Sequence, residues 1–308
     1  MERIPFALSN YAHTQPLISG SVPIGGAPLE FCNIEGQLIA TFRRMAREQR
    51  YGISELGVST ALIARDLGVP FSLLPVFVTR RFDHEAIYVN GERIRSAEQL
   101  NGRRIGVRSY TVTDAVWSRA VLSESCGVDL KSISWVVTGD EHIEGSRFPA
   151  GVEFLPGDLD SMIEGGVVDA ILHPYRGSDP RILPLFPGVR SAEESWYSSH
   201  GYVPIHHVIV IRDDVLLEYP WLSSTLFDAF SNAKAHLLEI IREGKDLPDY
   251  GDNRHIYGVN FASELFAADP VPYGMAINRR ALEDLVRFAS EQEIISDGWQ
   301  PEDLFLDF

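Results

Sequence analysis

Two histidines stand immediately before β-branched segments of the chain: His84 precedes Glu-Ala-Ile-Tyr-Val, and His207 precedes Val-Ile-Val-Ile. An imidazole has a pKa near 6.5, so it can donate or accept a proton at neutral pH. We interpret both segments as strands that cross between two lobes, an arrangement that turns both rings toward a shared cleft. His84 and His207 are therefore candidate catalytic residues. The alternative is that they form hydrogen bonds that steady the crossing strands.

Basic and hydroxyl side chains follow two other predicted strands. Arg80 and Arg81 come directly after PFSLLPVFV, where a guanidinium can bind a carboxylate through two parallel hydrogen bonds; the alternative is a solvated strand end or a salt bridge. The loop at residues 108–113 lies between a strand and a helix start, where free N–H groups and hydroxyls can receive an anion. The candidate substrate-binding residues here are Arg80, Arg81, Arg108, Ser109, Tyr110, Thr111 and Thr113.

The first βα loop and the second strand offer further candidates. Loops that follow strands usually face the ligand in open α/β sheets, and this one carries Asn10, Tyr11, His13 and Thr14. Loop residues of these types also bond to their own backbone, which is the alternative interpretation. Glu55 ends the strand in ISEL, and Ser59 lies at the helix start just beyond it. Glu55 is a candidate catalytic residue, or else a partner for a nearby arginine.

Cofactor motifs are missing from the sequence. His13, Glu55, His84 and His207 are of types that bind metals and could converge, but there is no HExxH, no CxxC pair and no clustered Asp/Asn loop. We therefore predict no metal ligands, although a catalytic divalent metal stays open. Neither GxGxxG nor GxxxxGK[ST] occurs, and GVST lacks a G-x-S-x-G elbow, so nothing indicates NAD, ATP or hydrolase chemistry.

The elements that must position these residues alternate between strands and helices. The first set predicts a helix at 36–49, strands at 51–56 and 70–78, and between them a helix capped by Ser59 or Thr60 that stops at Gly68. After Leu100 the spacing predicts strands at 103–107, 133–137 and 168–172. It also predicts helices at 113–125 with Thr113 as N-cap, at 158–164, from a capping box at Ser191, from Pro220 to near Gly244, and from Asn278.

This order predicts an α/β protein of two lobes. If both histidine-led segments cross between lobes, residues 1–85 and 208–308 form a discontinuous first lobe. Residues 86–207 then form the second, with a ligand cleft between them.

Composition narrows the function classes. The 308 residues are 45% hydrophobic and 23% charged, which is typical of a globular protein with a sizeable core. A net charge of −16 repels polyanions, so nucleic acid is not an expected partner. Only two cysteines are present, and no apolar run approaches the roughly 20 residues that cross a bilayer. The first residues lack the pattern of a secretory signal, so we expect a cytoplasmic protein that contacts no membrane.

Several strings resemble the 4,5-dihydroxyphthalate decarboxylase family, among them NYAHTQPL, ISELGVSTAL, PVFVTRRFDHEAIYVN, VPIHHVIVIRDDVLLEYPW and PYGMAINRRALEDLVRFASEQ, together with IRSAEQLNGRRIGVRSYTVTDAVWSRAVL. The resemblance spans about residues 8–305. It implies the type II periplasmic-binding-protein fold, with two αβ lobes joined by two hinge strands. It also implies a carboxy-lyase that converts 4,5-dihydroxyphthalate, or a close relative, to protocatechuate and CO2 without an organic cofactor.

That reaction requires an acid that protonates the ring carbon, a group that accepts the phenolic proton and a cation that holds the spared carboxylate. In the family resemblance, histidine positions fall on His84 and His207, an arginine falls on Arg80, and Glu55 lines the cleft, where it either orients a histidine or receives the phenolic proton. The other function class is a non-catalytic solute-binding protein for a small aromatic or dicarboxylic acid, which would share the fold. The sequence leaves open whether the protein is a homo-oligomer.

Overall fold

The computed structural model describes residues 3–243, 245 and 269–308, and the chain divides into two compact units. The first unit takes residues from Met1–Arg81, Val203–Glu283 and Gly298–Phe308, and the second from Phe82–Tyr202 and Asp284–Asp297. The chain thus changes unit a few residues before each of the two boundaries predicted from the sequence. Residues 284–297 belong to the second unit because the Phe288 ring packs on Trp117, and Gln292 Nε2 donates to the Val116 carbonyl at 3.1 Å.

The first unit is built on a five-stranded mixed sheet in the order β2-β1-β3-β11-β4. Its strands are β1 Ile4–Ala7, β2 Leu29–Cys32, β3 Ile53–Gly57, β4 Phe71–Arg80 and β11 Ile205–Arg212. Strand β1 is parallel to β2 and β3, whereas β11 is antiparallel to β3 and β4. The helices are α1 Gln15–Ile18, α2 Leu38–Glu48, α3 Val58–Asp66, α7 Asp213–Glu218, α8 Leu222–Arg242 and α10 Pro301–Leu304. Helix α9, Met275–Glu291, begins here and ends in the second unit.

The second unit contains a six-stranded mixed sheet in the order β10-β5-β9-β6-β7-β8. The strands are β5 Ile87–Asn90, β6 Arg104–Val107, β7 Ser134–Val137, β8 Glu153–Phe154, β9 Ala170–Leu172 and β10 Ile182–Pro184. Helices α4 Thr113–Cys126, α5 Leu159–Glu164 and α6 Val189–His200 complete the unit, with short 3-10 turns at His84–Ala86, Ala97–Leu100 and Leu130–Ser132. The predicted alternation of strands and helices is confirmed in both units.

Helix starts differ most from the sequence prediction. The caps expected at Ser59 or Thr60, Thr113 and Ser191 are wrong, because the N-cap positions belong to Gly57, Val112 and Gly188. Ser59, Thr60 and Thr113 are instead buried inside the first turns of their helices. Asp158 does cap α5, where its side chain accepts a hydrogen bond from the Ser161 N–H at 2.9 Å. At these three helix starts the hydroxyl residues therefore mark the right turn of the chain but not the capping residue.

Both histidine-led segments also differ in detail. His84 begins a 3-10 turn that precedes β5, so it does not enter the strand directly. His207 lies inside β11, which starts two residues earlier at Ile205. The end predicted for α8, near Gly244, lies outside the described residues, and α9 begins at Met275 rather than at Asn278. Among residues 3–243, 245 and 269–308, no helix combines the length and hydropathy needed to cross a membrane.

Candidate active-site residues

One edge of the first unit's sheet gathers the predicted groups of that unit. Strands β1 and β3 are parallel, so the loop that follows β1 and the end of β3 lie at the same edge. Strand β11 runs the opposite way beside β3, and His207 pairs with Gly57. Polar residues after β1, Glu55 in β3 and His207 near the start of β11 therefore meet, although they are far apart along the chain.

Glu55 and His207 form a buried, hydrogen-bonded pair. His207 Nδ1 lies 2.7 Å from Glu55 Oε1, and Glu55 is completely buried. The Tyr11 hydroxyl donates to the same oxygen at 2.6 Å, and the Ser9 N–H donates to Oε2 at 3.0 Å. Burial by itself would raise the pKa of Glu55, but the hydrogen bonds from His207, Tyr11 and Ser9 outweigh it and lower the pKa to about 2. The carboxylate therefore stays ionised at neutral pH.

An ionised Glu55 determines which nitrogen of His207 carries a proton. A carboxylate only accepts hydrogen bonds, so Nδ1 must be the donor to Glu55. This arrangement suits general acid–base catalysis at Nε2.

The backbone and an aromatic ring orient His207 further. The register between β11 and β4 shifts on both sides of His207, and such bulges re-aim side chains and are common next to active sites. The Phe42 ring of α2 meets the imidazole edge to face, with 5.0 Å between ring centroids. His207 is thus held by its carboxylate, by its strand and by packing.

His13 lies in the same loop as Tyr11, and the two rings stack with centroids 5.5 Å apart. His13 is buried, and its Nε2 has no hydrogen-bond partner in the described part of the chain. Burial lowers the pKa of His13 to about 4, despite opposing effects of the Val78 backbone and the Glu55 charge. His13 is therefore a neutral imidazole at pH 7.

Thr14 has a structural role in that loop, because its Oγ1 donates to the Ser9 carbonyl at 2.6 Å and accepts from the Tyr11 N–H at 2.8 Å. Asn10 is exposed, and Ser59 is buried in α3. The loop thus holds the Tyr11 hydroxyl on Glu55 and exposes Asn10.

Arg80 is bonded within the first unit. It is buried, and its two terminal nitrogens donate to the Val203 and Pro272 carbonyls at 3.2 and 3.0 Å and to Asn278 Oδ1 at 2.5 Å. Burial lowers its pKa to about 9, which leaves it charged at pH 7. The Arg80 guanidinium, which was predicted to bind a ligand carboxylate, thus donates its hydrogen bonds to oxygens of the protein itself. Arg81 follows it at the end of β4 and is only half-buried.

In the second unit, His84 lies among aromatic rings. Its centroid is 5.2 Å from Phe186, 6.0 Å from Phe82 and 6.1 Å from Trp196. Neither ring nitrogen has a hydrogen-bond partner in the described part of the chain, and burial lowers the pKa of His84 to about 4. Leaving a buried polar group unpaired costs roughly 1–3 kcal/mol.

The loop predicted to receive an anion is occupied by a carboxylate of the protein itself. Glu141 accepts hydrogen bonds from the Tyr110 N–H at 2.5 Å, from the Thr111 N–H at 3.0 Å and from the Thr111 hydroxyl. Ser109 Oγ donates to the Asp140 carbonyl at 2.9 Å, and Arg108 is half-buried. Tyr110 and Thr111 were predicted to bind an anion, and they do bind one, but it is the Glu141 carboxylate, a residue that the sequence did not point to. Only the long-range fold brings Glu141 to them.

Metal binding would compete with hydrogen bonds already present in the first unit. Glu55 Oε1 accepts from both His207 and Tyr11, and Oε2 accepts from Ser9. A cation bound to Glu55 would have to displace at least one of these donors. His13 Nε2 has no such competitor among the described residues.

Comparisons with known proteins identify relatives of the whole chain. No family model matches. The chain is 30% identical over 323 residues to a 4,5-dihydroxyphthalate decarboxylase from Comamonas testosteroni, a match that covers 98% of this chain and 96% of the relative. It is 32% identical over 217 residues to a 4,5-dihydroxyphthalate decarboxylase from Pseudomonas putida, covering 65% of this chain and 83% of that one.

Solved structures share the fold at low identity. A putative periplasmic sulfonate-binding protein from Methylobacillus flagellatus KT matches with a TM-score of 0.52 and 11% identity, over 100% of this chain and 92% of that one. DSZB in complex with biphenyl-2-sulfinic acid matches with a TM-score of 0.52 and 14% identity, over 99% and 96%. The predicted fold class, that of the periplasmic binding proteins, is confirmed.

Proposed function

The chain belongs to the family of 4,5-dihydroxyphthalate decarboxylases, which are carboxy-lyases, and from this premise we propose that it converts 4,5-dihydroxyphthalate, or a close relative, to protocatechuate and CO2. The observation that carries the proposal is the His207–Glu55 pair, in which a buried, ionised carboxylate orients an imidazole at 2.7 Å. A solute-binding protein needs no proton donor of this kind.

The chemistry proceeds by protonation of a ring carbon. The phenolic hydroxyl para to the departing carboxylate releases its proton, and its electron pair enters the ring. His207 Nε2–H then delivers a proton to the carbon that bears the carboxylate. The bond to CO2 breaks, and its electron pair restores the aromatic ring and leaves a phenolate oxygen. That oxygen takes back from solvent the proton that it gave up to solvent, so that only the proton from His207 is consumed for each CO2 released. Because the substrate's own oxygen supplies and recovers the electrons, we propose that no organic cofactor takes part.

The roles follow from the hydrogen bonds. Glu55, with a pKa of about 2, is too weak a base to take the phenolic proton, so we assign it the orientation of His207. Tyr11 holds Glu55 in place through Oε1. Arg81, which is half-buried and directly follows β4, is the cation that we assign to the spared carboxylate.

The test is incubation of the protein with 4,5-dihydroxyphthalate, with protocatechuate measured by chromatography and CO2 by mass spectrometry. We expect turnover by the wild type and a loss of about 10²–10⁴-fold in His207→Ala, the usual contribution of a general acid–base. His236→Ala, which changes an exposed histidine of α8, is the matched control and should retain full activity.

Two results would contradict the proposal. Equal turnover by His207→Ala and wild type would remove the assigned role. Absence of turnover by the wild type, together with a rise in melting temperature on adding the diacid, would indicate the solute-binding alternative instead.

A further inference from the structure

Two polar side chains without hydrogen-bond partners lie in one aromatic cluster of the second unit. They are His84, with both ring nitrogens unpaired, and Trp196, with its indole N–H unpaired, as judged over the described residues. Both side chains are buried, each with only 1% of its surface exposed. We call Phe82, His84, Phe186 and Trp196 the His84 cage, since the three aromatic rings lie within 6.1 Å of the imidazole centroid.

A purely structural role does not account for this cage. A buried polar group that has no partner costs free energy, whereas phenylalanine would fill a similar volume without that cost. Packing alone therefore favours an apolar ring at position 84. The unpaired nitrogens are better explained by a partner that arrives with a ligand.

The donors and acceptors of the cage define the chemistry of that partner. A neutral imidazole offers one accepting nitrogen, and the indole offers one N–H donor. A phenolic hydroxyl can donate to the first and accept from the second, and its ring can pack against Phe82 and Phe186. Burial keeps His84 neutral, with a pKa of about 4.

We propose that the His84 cage binds the hydroxylated end of an aromatic ring, with His84 accepting a hydrogen bond from a phenolic hydroxyl and Trp196 Nε1–H donating to the oxygen of that hydroxyl. The choice of ligand class rests on the proposed function, whose substrate carries two such hydroxyls. The cage then determines specificity by distinguishing hydroxylated from plain aromatic acids.

The experiment measures binding rather than turnover. Isothermal titration of the full chain with protocatechuate and with benzoate, which differ only in the two hydroxyls, yields a ratio of dissociation constants. Wild type should prefer protocatechuate, and His84→Phe should reduce that preference about tenfold, because one hydrogen bond to a buried partner is lost. Trp117→Phe is the matched control, since this buried ring packs edge to face against Trp196 with 6.4 Å between centroids. It should leave the ratio unchanged.

Thermal melting of the ligand-free proteins provides a second readout. His84→Phe removes two unpaired nitrogens from the interior. Its melting temperature should therefore be at least that of wild type, and up to about 2 °C higher. A merely structural histidine would give the opposite sign.

The proposal is overturned if wild type does not distinguish the two acids, if His84→Phe retains the wild-type ratio, or if His84→Phe melts lower than wild type. These results are independent of the decarboxylation assay. Turnover without hydroxyl preference would contradict only the His84 cage, and hydroxyl preference without turnover would contradict only the proposed reaction.

Discussion

Two buried glutamates, one in each unit, use the same side chain in different ways. Glu55 in the first unit accepts from Ser9, Tyr11 and His207. Glu141 in the second unit accepts from the N–H groups of Tyr110 and Thr111 and from the Thr111 hydroxyl. The difference lies in these partners, because an imidazole bonds to Glu55, whereas the three bonds named for Glu141 come from the backbone and a hydroxyl of one loop.

This difference separates chemistry from architecture. A carboxylate beside an imidazole stabilises the charged form of that ring and so influences proton transfer. A carboxylate beside amide and hydroxyl groups cannot do so, and its effect is to fix the conformation of the loop at residues 109–113. Burial alone therefore does not identify a catalytic acid; the nature of the bonded donor does.

The largest expected effect distinguishes the two glutamates by activity. Glu55→Gln keeps the shape and an accepting oxygen but removes the negative charge bonded to His207 Nδ1, so kcat for 4,5-dihydroxyphthalate should fall about 10²-fold or more. Glu141→Gln should change kcat by less than about threefold, since the bonds to it from Tyr110 and Thr111 hold a loop in place. Steady-state kinetics of both variants measures the contrast.

The same steady-state kinetics provide the control for the two glutamine variants, because KM and kcat are measured separately. A rise in KM alone for Glu141→Gln would place the loop at residues 109–113 on the substrate, as the sequence predicted. Equal losses of kcat in the two variants would contradict the distinction between the glutamates.

The next effect is on stability in acid. The pKa of Glu55 is about 2 in the folded chain, against an ordinary value of 4.5. The ionised Glu55 carboxylate therefore stabilises the folded chain. This contribution to the free energy of unfolding is complete above pH 4.5 and is lost as the pH falls from 4.5 toward 2, because the unfolded state binds the proton first. The lowered pKa of Glu55 corresponds to about 3 kcal/mol in the free energy of unfolding. The free energies of unfolding of wild type and Glu55→Gln, measured in urea at pH 7, 4 and 3, should approach each other as the pH falls. A difference that stays constant with pH would contradict the lowered pKa.

Much of the fold could be predicted from local pattern. The apolar run at residues 70–78 predicted β4, and the helix predicted at 113–125 is α4, which Gly127 ends in a left-handed conformation with φ of 64°. Helix starts were less predictable, because Ser59 and Thr113 are buried in the first turn and the capping position falls to a neighbour. Burial of a hydroxyl competes with capping, and sequence spacing does not indicate which wins.

The candidate site was predictable in residue type but only partly in partnership: that Glu55 orients a histidine was one of two expectations, and which histidine it orients was not specified. His207, Glu55, Tyr11 and His13 were all expected, yet the bond between Glu55 and His207 joins residues 152 apart in the chain. The same limit hid Glu141, which lies 31 residues from Tyr110. It also left open whether Arg80 would bind a ligand or the protein. Such contacts depend on sheet order and strand direction, which local spacing does not specify.

The smallest expected effect compares one hydroxyl on each glutamate. Tyr11→Phe removes the donor to Glu55 Oε1, and Thr111→Val removes the hydroxyl donor to Glu141 without changing its shape much. Each should lower the free energy of unfolding by about 1–2 kcal/mol, as for one hydrogen bond to a buried acceptor. Only Tyr11→Phe should also lower kcat, by several-fold, because the oxygen that it releases is the one bonded to His207 Nδ1. Urea unfolding and steady-state kinetics on the same preparations separate the two outcomes. Equal kcat in both variants would mean that Tyr11 supports the fold and has no part in positioning the imidazole.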